Sequence, residues 1–397
     1  MMLPASTKKG MASREKELAP VKVRLAAVIM ACWKGRTTMT FEELYRTMLK
    51  QAVEKGSVQA DDLEASAGHL DCLLHPQDHP LVWPLNPCTC PKEETHCAAA
   101  CLFDAIVRRD DGTLAVDPDR CSGCGACIQA CQSGNLTASR DVLPALDAVK
   151  HAKGPVYALI APAFLGQFST VVTPGRLRSA FKLLGFTGMV EVALFADLLT
   201  LKEALEFDRN IHTETDFQLT SCCCPMWIGM IRKLYHELMP HVPGAVSPMI
   251  AAGRTVKKLH PDAVTIFVGP CIAKKAEARE ADLAGAVDYV LTFQEMQDIF
   301  QAADIHPELL EESERDHSSR AGRIYARTGG VSEAVRTTVA RLHPERPIQV
   351  RTRQADGVPA CRAMIEDIRS GQHQANFFEG MGCTGGCVGG PKVLLDR

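Results

Sequence analysis

With 397 residues, 46% hydrophobic and 23% charged, the chain has the composition of an ordinary globular protein and room for two or three domains. A net charge of −3 excludes the basic face that a nucleic-acid binder needs, and no apolar run approaches the roughly 20 residues of a membrane span. The 17 cysteines depart from the average, and their close clusters point to metal sites in a reducing cytoplasm rather than to disulfides.

In chain order, residues 1–20 are polar and expected to be disordered. Leu25 to Cys32 resembles a lipidated signal only superficially, because the run is short and gives way to Trp33-Lys34-Gly35-Arg36. A buried helix is the better reading. Residues 21–80 form a small helical piece within an N-terminal segment of 1–84. Thr40 and Glu43 make a capping box, and Phe41, Leu44, Tyr45, Met48 and Leu49 mark one helix face. Cys32 and Cys72 have no cysteine at ligand spacing and read as buried thiols.

Residues 85–148 change character. Cys121, Cys124, Cys127 and Cys131 follow the C-x2-C-x2-C-x3-C run of a bacterial ferredoxin, whose short spacers let a loop curl round a cubane. Only a zinc site competes with that reading. Cys97-x3-Cys101 repeats part of the motif, while Cys88-x-Cys90-x6-Cys97 replaces the usual spacers. Pseudo-symmetry assigns Cys101, Cys121, Cys124 and Cys127 to one [4Fe-4S] cluster, and Cys88, Cys90, Cys97 and Cys131 to a second. Leu102 and Gln132 stand where ferredoxins often have proline.

Residues 149–397 alternate between strands and helices. Strands are expected at 155–162, 190–195, 264–268 and 288–292, and helices about 176–184, 198–207, 248–259 and 293–302. The fold class is α/β, with mainly parallel sheets flanked by helices and ligand segments directly after strands. Glu308–Asp316 reads as a solvated charged stretch. Gly329-Gly330 opens a helix and suits an anion or close packing there.

Three segments then carry thiolates: Thr220-Ser221-Cys222-Cys223-Cys224-Pro225, Pro270-Cys271-Ile272-Ala273-Lys274-Lys275-Ala276-Glu277, and Glu379-Gly380-Met381-Gly382-Cys383-Thr384-Gly385-Gly386-Cys387. Together and in order, they resemble the three signatures of the [FeFe]-hydrogenase family, roughly T-S-C-C-P, M-P-C-x-x-K-x-x-E and E-x-M-x-C-x-x-x-C. The resemblance implies a two-lobed domain with an H-cluster between the lobes: a cubane on Cys224, Cys271, Cys383 and Cys387, joined through Cys387 to a 2Fe subcluster carrying CO, cyanide and azadithiolate.

By the same resemblance Cys223 passes protons, Lys274 holds a cyanide, and Pro270 and Met381 line the diiron pocket. Glu277 either carries protons or pairs with a lysine, and both readings stay open. Cys222 takes the usual serine position or is an insertion. Gly269 stands where many members have methionine, so one pocket wall is altered. Cys361 fits none of these patterns and reads as structural.

The implied activity is reversible H2 oxidation and proton reduction. Electrons would pass through the ferredoxin-type clusters to a carrier such as ferredoxin, or to a redox partner subunit. Two other readings are an H2-sensing regulator with the same cofactor and a non-enzymatic iron–sulfur protein holding only cubanes. Lys274, Met381 and the Cys383/Cys387 pair weigh against the second of these, because a plain cubane needs no cyanide partner.

Overall fold

The computed structural model describes residues 39–91, 94–110, 112–220, 223–313 and 318–395. The expectations for residues 1–38, including Leu25–Cys32, and for Cys222 lie outside the described residues. Helix α1, Phe41–Lys55, begins at the expected capping box, with Thr40 accepting from the Glu43 amide and Glu43 answering to the Thr40 amide. Phe41, Leu44, Tyr45, Met48 and Leu49 are all buried, as their helical spacing requires. After α2, Ala67–Leu74, strand β1, Val82–Pro84, enters the cysteine-rich unit.

That unit holds α3, His96–Ala99, and then strands β2, Ile106–Arg108, and β3, Leu114–Val116, paired antiparallel. Helix α4, Ala126–Ala130, leads to β4, Leu136–Ala138, which returns antiparallel to β1. Helix α5, Val142–His151, then packs on α1 and leads into the larger α/β part.

There, β5, Val156–Ile160, lies between β6, Gly188–Glu191, and β8, Val264–Gly269, with β9, Tyr289–Thr292, beyond β8. All four strands are parallel, so helices must carry the crossovers. These are α6, Pro174–Leu183; α7, Ala193–Asn210; α8, Pro225–Leu234; α9, Pro248–Leu259; and α10, Ala273–Arg279. Helix α11, Phe293–Ala302, follows β9. A second parallel sheet orders β10, Thr352–Asp356, then β11, Phe377–Met381, then β7, Gln218–Leu219. Its helices are α12, Arg320–Ile324; α13, Gly330–Leu342; and α14, Val358–Arg369.

The strand expected at 190–195 is corrected. Strand β6 stops at Glu191, Val192 is already in right-handed helical conformation, and Ala193 to Phe195 form the first turn of α7. Val192, Ala193 and Phe195 are buried while Leu194 is exposed, as in a first helical turn rather than a continued strand. Glu191 stops the strand with a purpose: it is fully buried and takes Arg178 and Arg323 together, at 2.7 and 2.9 Å. Among the described residues, no helix is long and apolar enough to cross a membrane.

Candidate metal centre

Each C-terminal thiol segment leaves the end of a parallel strand, where α/β folds place their sites. Strand β7 runs into the cysteine triplet, β8 ends at Gly269 before Pro270-Cys271, and β11 ends at Met381 before Cys383. Cys223, Pro270, Cys271, Lys274, Met381 and Cys387 line one cavity between the two sheets. Cys224 stands beside it, at the start of α8, and accepts a hydrogen bond from the Gly382 amide at 3.3 Å. Cys383 lies in the same loop, its carbonyl accepting from the Gly386 amide at 3.0 Å.

The glycines of the last signature have a steric reason. A Cβ on Gly380 would lie 2.0 Å from the Trp227 ring, and one on Gly382 would lie 2.4 Å from Met226 Cβ. Helix α8 therefore packs directly against the backbone of the β11 loop, which brings Cys224 to that loop. Gly269 has another role. A Cβ there would meet the Phe267 ring at 2.6 Å, so the phenyl ring of Phe267, itself lining the cavity, closes the wall that methionine was expected to form.

The electrostatics follow from this burial. The Cys271 thiol is pushed up to about 11 by desolvation and by the nearby charge of Cys224, and only partly eased by Lys274. The same causes, with Cys271 added, push Cys387 up to about 12. Lys274 is buried, and its Nζ donates to Glu277 Oε2 at 2.5 Å. Desolvation would pull that ammonium down, but Glu277 outweighs it, helped by Cys271 and Cys223, and the pKa ends above its ordinary value. The lysine is therefore a fixed cation at the cavity wall. Glu277, for which two readings stood open, pairs with it. Lys275 is buried too, donating to Val290 O at 2.6 Å and pairing with Glu295 at 3.2 Å.

Two polar residues escaped the sequence reading, and a third stood in the last signature without a role. Tyr325 lines the cavity, and its hydroxyl donates to Thr200 Oγ1 at 2.6 Å, since Thr200 spends its own proton on the Ala196 carbonyl at 2.9 Å. Burial, then the charge of Glu203, raises the tyrosine well above its ordinary pKa, and Cys223 adds to this. Glu203, on the inner face of α7, is fully buried. Thr200, Glu203 and Phe207 recur at helical spacing on that face, which was the available signal. The third is Glu379, whose carboxylate takes the amides of Gly329 at 2.9 Å and Ser332 at 2.8 Å. The anion at the start of α13 is thus an internal one. Burial raises the Glu379 pKa, and the amides offset part of the rise.

Nearer the N-terminus, Cys101, Cys121, Cys124 and Cys127 line a second, apolar pocket with Val82, Phe103 and Val116. Burial, reinforced by Cys124, Cys121 and Cys101, pushes Cys127 up to about 12. The amide of Ala105 reaches Cys101 Sγ at 3.2 Å. The other quartet is also drawn together: Cys90 is hydrogen-bonded to Cys88 and feels Cys131, while Cys97 feels Cys131 and Cys88. The pocket of the first quartet abuts the central site directly. A Cβ on Gly123 would sit 3.2 Å from Ala273 Cα, and Ser122 Oγ donates to the Met226 sulfur at 3.0 Å.

Among the described residues, no cysteine forms a disulfide. Among the described residues, no three His, Cys, Asp or Glu side chains gather as they would around a single metal ion. The donor set of the central site, buried thiols with one buried cation in an apolar cavity, fits an anionic iron–sulfur group. Cys361 is buried beneath the third signature, its thiol donating to Met381 O at 3.3 Å and feeling the charge of Cys224.

A model of the iron-only hydrogenase large subunit, C-terminal domain, matches residues 154–391, and one of the 4Fe-4S binding domain matches residues 114–137. The chain is 28% identical to iron hydrogenase 1 of Clostridium pasteurianum over 275 residues, 59% of this chain and 48% of that protein. It is 24% identical to NADP-reducing hydrogenase subunit HndD of Solidesulfovibrio fructosivorans over 322 residues, 68% of this chain and 55% of that one. It thus spans about half the length of the curated relatives it matches. A solved variant of the [FeFe]-hydrogenase HydA1 from Chlamydomonas reinhardtii aligns with a TM-score of 0.55 at 23% identity, over 65% of this chain and 85% of that one. The likeness is one of fold.

Proposed function

Because the chain belongs to the iron-only hydrogenase large-subunit family, with its α/β H-cluster fold and iron–sulfur sites, we propose that it catalyses reversible H2 oxidation and proton reduction. The observation that carries this reading is that Cys223, Lys274, Pro270 and Met381 meet Cys271 and Cys387 around one cavity. In this reading Cys224, Cys271, Cys383 and Cys387 would hold a cubane, with Cys387 the thiolate on the side of a diiron unit carrying CO, cyanide and azadithiolate. When bound, that unit supplies the open iron and the bridging amine at which H2 is split or formed.

The chain's own residues do the rest. Lys274, kept charged by Glu277, offers its ammonium protons to a cyanide, as a charge-assisted hydrogen bond requires. Pro270, Met381 and Phe267 exclude water from the cavity. Cys223 holds and releases a proton at Sγ, a thiol being able to exchange one near neutrality at modest cost. Tyr325 is the next polar group on that wall, and the charge of buried Glu203 bears on it. The inner quartet of Cys101, Cys121, Cys124 and Cys127, which packs on the Cys271 loop, would hold one [4Fe-4S] cluster and Cys88, Cys90, Cys97 and Cys131 a second, and these would supply a path for electrons. A ferredoxin-like carrier or a redox partner subunit takes them.

The corresponding division is an N-terminal helical segment at 1–84, a ferredoxin-like unit at 85–148 and the H-cluster domain at 149–397. The cysteine clusters suit the reducing cytoplasm.

Infrared spectroscopy tests the reading on protein matured with its diiron precursor. CO and cyanide bands together with H2 turnover are expected. A protein without the bands holds cubanes only and is not a hydrogenase.

A further inference from the structure

We propose that Arg108 is a positioning residue that sets the reduction potential of the outer cluster, holding it higher than the thiol quartet alone would. The inference rests on the reading of Cys88, Cys90, Cys97 and Cys131 as the ligands of that cluster. Arg108 ends strand β2, and its Nη2 donates to the Cys90 carbonyl at 2.8 Å. That bond ties the guanidinium to the C-x-C loop whose spacing departs from the ferredoxin pattern. Its Nε and Nη1 atoms are buried and have no hydrogen-bond partner among the described residues.

A guanidinium cannot shed its charge, and a buried charge without a counter-charge is costly. The anion it meets is at hand: the charge of Arg108 already bears on the Cys90 thiol. Among the described residues, the charged neighbours Glu94, Asp104, Arg109 and Asp110 are exposed, where solvent and salt weaken their effect. A cluster that accepts one electron gains one negative charge, and a fixed cation beside it stabilises the reduced form more than the oxidised one. The potential therefore rises, net charge and hydrogen bonding being the levers that tune such clusters. An outer cluster that is easier to reduce draws electrons outward from the inner quartet, which favours H2 oxidation over proton reduction.

The test is a redox titration followed by electron paramagnetic resonance on the full chain loaded with its cubanes. The outer cluster is identified as the signal lost or altered in Cys88→Ala. Arg108→Gln should shift the midpoint of that signal to a more negative potential, while Arg108→Lys, which keeps the charge, should stay near the parent. If glutamine prevents loading, Arg108→Met keeps the packing of the stem and gives the same reading. A midpoint unmoved by loss of the charge overturns the inference alone, as does an equal shift in the lysine variant. A set of cluster signals untouched by Cys88→Ala removes the outer cluster itself, and the inference with it.

Discussion

The central thiols and Cys131 of the outer quartet present the same chemical group in opposite surroundings. Cys271 and Cys387 face an apolar cavity and one another, so their thiols rise to about 11 and about 12. Cys131 of the outer quartet lies nearer solvent. Burial alone would raise its thiol too, but Ser133 and the amides of Asn135 and Leu136 overcome that and bring it below its ordinary value. Sulfur donors alone therefore do not define a site's task. The central cavity sets its thiols among apolar walls and beside the Lys274 ammonium, whereas Cys131 is surrounded by hydrogen-bond donors.

The largest expected effect comes from removing a deep ligand. Cys271→Ala should abolish the central iron, measured by Mössbauer spectroscopy, and leave the two ferredoxin-type clusters filled. Loss of all iron would show instead that the sites do not load separately. Cys223→Ser should keep the CO and cyanide bands and lower turnover by about 100-fold or more, the scale of a lost proton-transfer group. Unchanged turnover removes Cys223 from the proton route.

The contrast in burial also predicts a pH dependence. In metal-free protein, the raised thiols of Cys271 and Cys387 contribute stability that is fully present below their ordinary value of 9.0 and is lost as pH rises through about 11 to 12. Melting temperature should therefore fall above pH 9 in the metal-free chain. It should fall less in the loaded chain, whose thiolates are already ionised. Equal falls would mean that these thiols are not the ligands. The smallest effect should come from Gly380→Ala. It forces a Cβ against Trp227, costs about 1–3 kcal/mol of stability and loosens the loop carrying Cys383, so a variant as stable as the parent would contradict the close packing of α8 on β11.

Much of this was legible in the sequence because thiolate spacing and strand ends are local signals. The inner quartet emerged whole in one pocket, and the helices at Pro248–Leu259 and Phe293–Ala302 matched their expected bounds. What stayed hidden depends on contacts between distant segments. The Val190–Phe195 run conceals the turn into α7, because residues divided between a strand end and a first helical turn are too few to show either period. Glu277 could not be assigned until Lys274 was seen beside it, and Tyr325 is joined to Thr200 across 125 positions of sequence. The anion at Gly329-Gly330 is Glu379, 50 residues away.

The most direct measurement is a crystal structure of the matured protein with an anomalous map at the iron edge. The account predicts one compact cube of iron held by Cys224, Cys271, Cys383 and Cys387, with two further irons in the cavity beside Cys387, facing Lys274 and Cys223. Iron confined to the two N-terminal quartets, with the central thiols bare, would contradict it.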